Sequence, residues 1–168
     1  MRVFCLVFFA CLVSVPAALA VKRAAGDGVL ELRDVNGAIT VSGKGVLWGQ
    51  ADKGTLAVYD YSATDGGDVR VSGQDKPIVY QTDGSRIYRG DSLHFRVTGG
   101  SYKLIFTATS MLDLTSVGVG KATITPDPKS PDDGDYALDS GPWKSVPLFT
   151  PTYLQFPKPI TPPPTSGP

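Results

Sequence analysis

The sequence predicts an all-β protein, a compact antiparallel sandwich or roll of short, glycine-bounded strands. Two observations carry this. A glycine followed by apolar residues at every second position recurs as "GVLEL" (28–32), "GAITV" (37–41), "GTLAV" (54–58), "GDVRV" (67–71), "GSYKLIF" (100–106) and "GKATIT" (120–125). Period-two alternation bounded by Gly, Asp and Asn buries one face of a strand and wets the other. No stretch of this region offers a helical period over even ten residues. A short β-solenoid is the alternative architecture, but no fixed repeat of about 20 residues or more supports it.

Taken in order, residues 1–20, "MRVFCLVFFACLVSVPAALA", have a charged start, a short apolar run and small residues at the end. These are the parts of a secretory signal peptide, with cleavage expected after Ala20 and export to follow. Cys5 and Cys11 both lie inside it, so the mature chain is expected to lack disulfides and thiol ligands. No later run is apolar enough to span a bilayer, so no stable membrane insertion is expected after cleavage. Residues 21–27 form a linker and 28–125 the β domain. Within that domain Asn36-Gly37 reads as a two-residue hairpin, and Thr98-Gly99-Gly100 as a second one. Proline then marks a change of character: Pro77 is the only one between Val21 and Thr125, while 12 of the 14 follow. Residues 126–156 read as a linker plus a hairpin or strap around "GDYALDSGPWKSVPLF". Residues 157–168 read as a disordered, polyproline-II-like tail.

The cluster Gly43, Gly45 and Gly49 with Lys44 invites a phosphate-loop reading. A phosphate cradle needs a helix after the glycines, so that its N–H groups point at the anion. Here "VLWGQADKGTLAVY" follows, which is turn and strand, so the glycines are expected to serve as turns. Formal charge is +0, with 16 basic and 16 acidic residues, which argues against nucleic acid as a partner.

Catalytic chemistry finds little support. His94 is the only histidine, and alternation places it with Arg96 on a polar face. Asp139-Ser140-Gly141 has the form of an aspartic-protease triplet, but that chemistry needs two such carboxylates. Fifteen of the 16 acidic residues are Asp, seven of them beside Gly, where turn chemistry accounts for them. "TDGGD" and "PDDGD" are the loops with oxygen ligands suited to calcium. No catalytic residue, cofactor or metal site is assigned. Aromatic residues on a β surface can stack on sugar rings, which makes Trp48, Tyr59, Tyr61 and Trp143 the candidate ligand-binding residues. Trp48 beside Gly49 and Trp143 after Pro142 are the two expected at the surface.

The order of four segments resembles a family of small, secreted, glycine-rich all-β bacterial proteins of uncharacterised function, mostly actinobacterial. They are "GVLELRDVNGAITVSGKGVLWGQADKGTLAV", "YRGDSLHFRVTGGSYKLIF", "LDLTSVGVGKATI" and "DDGDYALDSGPW". The likeness spans residues 28–149 and rests on positions such as Tyr88, Gly90, Gly99, Gly118 and Gly120; "ATSMLDL" departs from it. It implies an exported β protein and lends no catalytic residue. The expected role is a non-enzymatic envelope or extracellular domain that binds cell-wall polymer or another exported protein. The alternatives are a secreted Asp-dependent glycan hydrolase and a calcium- or solute-binding module.

Overall fold

Apolar alternation becomes β structure throughout the computed structural model, which describes residues 24–60, 65, 67–130 and 133–157. The leader, Tyr61 and the proline-rich tail beyond Pro157 lie outside the described residues. The strands are β1 (Gly28–Ala51), β2 (Lys53–Asp60), β3 (Val69–Ser72), β4 (Val79–Tyr80), β5 (Arg86–Gly90), β6 (Leu93–Val97), β7 (Ser101–Pro126), β8 (Asp135–Leu138), β9 (Lys144–Ser145) and β10 (Thr152–Phe156). All pairings are antiparallel and belong to one curled sheet that forms a half-barrel, with no helix among the described residues. The antiparallel sandwich or roll is therefore the architecture, and the solenoid is not.

The strands are not all short. β1 has 24 residues and β7 has 26. The two pair twice, once along each edge. One ladder runs from Gly28 opposite Gly118 to Lys44 opposite Ser101; the other runs from Gly37 opposite Pro126 to Gln50 opposite Asp113. Gly37 and residues 39–44 of β1 thus have β7 partners on both sides, as residues 114–118 of β7 have β1 on both sides.

This double pairing divides the sheet into two wings. One has the order β3, β6, β1 (45–51), β7 (113–118), β1 (28–32), β8 and β9. The other runs β10, β7 (119–126), β1 (37–44), β7 (101–107), β2, β5 and β4. Each long strand crosses from wing to wing twice. The wings face each other across the core, where the Phe95 and Phe106 ring centroids lie 4.9 Å apart.

Crossing requires bends, and the sequence supplies them. On β1, Asp34 (φ 54°) and Gly37 (φ 118°) form an irregularity that shifts the inward positions from even to odd numbers. Asn36 stabilises it by accepting the Met111 N–H at 3.1 Å. Asn36-Gly37 is therefore a bend inside one strand and not the hairpin the dipeptide predicts, because β1 keeps pairing with β7 on either side of it. Thr98-Gly99-Gly100 also makes no hairpin, since β6 pairs with β1 and β3 and the chain turns to the other wing at this point.

The second crossing falls at Gly45 (φ 139°) and Gly118 (φ 145°), which are register partners. A Cβ on Gly45 would collide with the Val117 carbonyl oxygen, and one on Gly118 with the Lys44 carbonyl oxygen. The glycine cluster of β1 serves bends and close backbone approach within a strand and closes no turns between strands.

The core is continuous between the wings and includes Leu30, Leu47, Leu56, Leu104, Phe106, Leu114 and Ile124, all buried. Residues past 126 contribute: Leu154 and Phe156 of β10 belong to this core, and Tyr136 and Leu138 of β8 pack against it. One polar link crosses it. The Tyr102 hydroxyl and Ser116 Oγ lie 2.6 Å apart, and Ser116 Oγ also donates to the Val46 carbonyl at 3.4 Å. Burial pushes the Tyr102 hydroxyl above its ordinary value of 10.0, with the Ser116 hydrogen bond opposing more weakly.

Two outcomes follow for stability. Replacing Gly118 by Val should cost about 3 kcal/mol or more in urea unfolding, since strain and backbone collision combine. Gly84→Ala should cost only about 1 kcal/mol, because Gly84 also has positive φ (82°) but has nothing within 4 Å of its Cβ position. Equal costs would contradict the close approach at the crossing. The folded state also holds the Tyr102 proton more tightly than the unfolded chain does. The Tyr102 contribution to stability should therefore be level below about pH 10 and fall as pH rises above it. Tyr102→Phe should cost about 1–2 kcal/mol at neutral pH and flatten that alkaline fall; an unchanged fall would contradict it.

Candidate functional site

On the β3–β9 wing, strand register sets one row of side chains across the outer face: Arg70, Arg96, Trp48, Thr115 and Glu31, each opposite the next. A second row, two residues along, holds Ser72, His94, Gln50 and Asp113. Alternation explains why they face out: Leu47, Ala51, Phe95, Val97 and Leu114 between them face in and are buried. The inward position between Trp48 and Gln50 is Gly49, whose place is taken by the Phe95 ring; a Cβ there would lie 2.7 Å from Phe95 Cζ.

These rows border two adjoining hollows. The first, about 430 Å³, lies among Trp48, Gln50, His94, Arg96, Asp113 and Thr115. The second, about 350 Å³, lies among Glu31, Arg33, Asp34, Asp113, Thr115 and Trp143. Leu32, Asp113 and Thr115 line both, so the two form one groove with a tryptophan at each part. Each volume is within the range of about 300–1,000 Å³ typical of small-molecule sites.

Trp48 and Trp143 are 38% and 39% exposed, which leaves part of each indole fixed in the wall and part free to meet a ligand. The Arg33 guanidinium carbon sits 4.1 Å from the Trp143 ring centroid. This cation–π contact occupies one indole face, so a ligand can stack only on the other. Trp143 owes its place to the turn before it. Asp139 (φ 53°) and Ser140 (φ 59°) form a tight turn closed by the Gly141 N–H donating to the Leu138 carbonyl at 2.9 Å. Asp139 Oδ1 accepts the Val29 N–H at 2.9 Å, which ties the turn to β1. The protease-like triplet is a structural corner.

Asp113 joins the two hollows. Its Oδ1 accepts the Asp34 N–H at 3.1 Å, and its Oδ2 accepts from Gln50 Nε2 at 3.3 Å. The carboxylate therefore fixes the Gln50 amide, leaving Gln50 Oε1 as an acceptor beside Trp48. Such a set of aromatic platforms with amide, carboxylate, hydroxyl and guanidinium groups matches the edges of a sugar ring, which offers apolar faces and polar rims.

Of the sequence-predicted residues, Trp48 and Trp143 come together on this groove. Tyr59 does not: it is on β2 in the other wing, with Lys103 Nζ 5.0 Å from its ring centroid. Asp83, whose carboxyl the Ser85 N–H and O–H hold below its ordinary value, gains a smaller contribution from the Tyr59 hydroxyl. Tyr61 lies outside the described residues. The calcium-type loops are described only in part. In "TDGGD", Asp65 Oδ2 accepts the Ser101 N–H at 2.7 Å, and Ser101 holds the Asp65 carboxyl below its ordinary value. In "PDDGD", Asp133 is buried. Among the described residues no three His, Cys, Asp or Glu side chains converge as a metal site, and no helix is long and apolar enough to cross a membrane.

Sequence reasoning missed Gln50, Asp113, Thr115, Glu31 and Arg33. Gln50 was within reach, two residues from Trp48 on an alternating strand. Asp113 and Thr115 reach the groove only through the long-range β1–β7 ladders. Set against known proteins, the chain matches no protein-family model, no curated protein and no solved structure.

Proposed function

We propose that this protein is an exported, non-enzymatic β domain that holds a polysaccharide of the cell envelope in the groove between Trp48 and Trp143. The observation that carries the reading is the placement of two half-exposed tryptophans, distant in sequence, along one polar groove of a single sheet. The leader-like residues 1–20 support export. Sugar rings would stack on Trp48 and on the open face of Trp143, with Gln50 and Asp113 meeting hydroxyl groups between them. Both Asp113 oxygens already accept hydrogen bonds, which suits a positioning role over that of a nucleophile.

Co-sedimentation of residues 21–168 with purified envelope polysaccharide checks this. Trp48→Ala should weaken retention about ten-fold or more, Trp143→Ala should weaken it less, and Tyr59→Ala should leave it unchanged. Release of reducing sugar during incubation, or equal loss from Tyr59→Ala, would contradict the reading.

A further inference from the structure

The groove has two electrically different ends. Glu31, Asp34 and Asp113, opposed by Arg33, border the Trp143 hollow, whereas Arg70 and Arg96 gather beyond Trp48. Arg70 and Arg96 are direct cross-strand partners on the outer face of β3 and β6. Like charges so placed destabilise a sheet. Asp68 offsets Arg70 at 2.7 Å, but both side chains are well exposed, where such a pair contributes little. Arg96 has no ion-pair partner among the described residues. Arg96 and His94 line the Trp48 hollow itself, and a third hollow, about 640 Å³, lies at the β3 edge among these two, Arg70 and the apolar Val69, Val71, Ile78 and Tyr88. The cationic pair is thus continuous with the aromatic groove.

Resting on the polysaccharide reading above, we infer that the polymer is anionic, with a carboxylate or phosphate group held by Arg96 and Arg70 while an adjacent ring stacks on Trp48. Arg96 and Trp48 are neighbours across one strand spacing, about 4.8 Å. A guanidinium there reaches an anionic substituent of a ring stacked on the indole, and its planar fork can bind both oxygens at once. The chain as a whole carries no net charge, so the attraction is local to this end of the groove and is not a general affinity for polyanions.

Matched polymers test this: polygalacturonate against its methyl ester for carboxylate, and phosphomannan against mannan for phosphate. Affinity electrophoresis of residues 21–168 should show one charged member retained about ten-fold more tightly than its neutral partner. Arg96→Gln should abolish that preference while keeping retention by the neutral polymer, Arg70→Gln should reduce it, and Trp48→Ala should weaken both members. Melting curves confirm that each variant is folded. Equal retention of charged and neutral members overturns the charge inference and leaves the glycan groove standing. A charge preference that survives Arg96→Gln, or retention of the charged member that is undiminished by Trp48→Ala, also overturns it. Retention of none of the four polymers overturns the inference together with the reading beneath it.

Discussion

Residues 39–44 of β1 have β7 as a neighbour on both edges, and residues 114–118 of β7 have β1 on both of theirs. Two strands can share both edges only if each bends enough to meet the other again, which is why the irregular positions cluster on these strands. Asp34 and Gly37 bend β1, Ala108 and Met111 bend β7, and Gly45 and Gly118 meet where the second crossing occurs. Every other strand is then an addition to this pair: β2, β10, β6 and β8 each hydrogen-bond to β1 or β7 directly.

The groove is a product of the same arrangement. Trp48 and Glu31 belong to one strand, yet Thr115 of β7 stands between them because β1 passes that position twice. Asp113 can touch both Asp34 and Gln50 for this reason. A site built on the backbone ladders of a doubly paired sheet is held rigidly, and this reduces the ordering cost of binding. The Tyr102–Ser116 link adds to that rigidity, since each of its two groups would be left without its partner in the core if the wings slid.

Much of the fold was legible because burial at every second residue is a local signal. Leu30 and Leu32, Ile39 and Val41, Leu93, Phe95 and Val97, and Leu104 and Phe106 all point inward as alternation requires. Strand length was not legible. A glycine that ends a strand and one that bends it have the same neighbours in sequence, so Gly45 and Gly118 read as boundaries. Asn36-Gly37 carries a hairpin signature, and only the continued pairing with β7 distinguishes a bend. Of the site, the two tryptophans could be named from their flanking glycine and proline, and His94 with Arg96 from alternation. Their convergence depends on a ladder between residues more than 60 positions apart in the chain, such as Gln50 and Asp113, and no local pattern encodes it.

The measurement that bears most directly on this account is residue-by-residue amide hydrogen exchange by NMR. In a strand paired on one edge, every second amide is bonded and protected, whereas pairing on both edges protects consecutive amides. The double ladder predicts unbroken slow exchange across residues 39–44 and 114–118, with alternating protection in the edge strands β3 and β10. Alternating protection within residues 39–44 would mean that β7 lies on one side only, and the shared-edge architecture would be wrong.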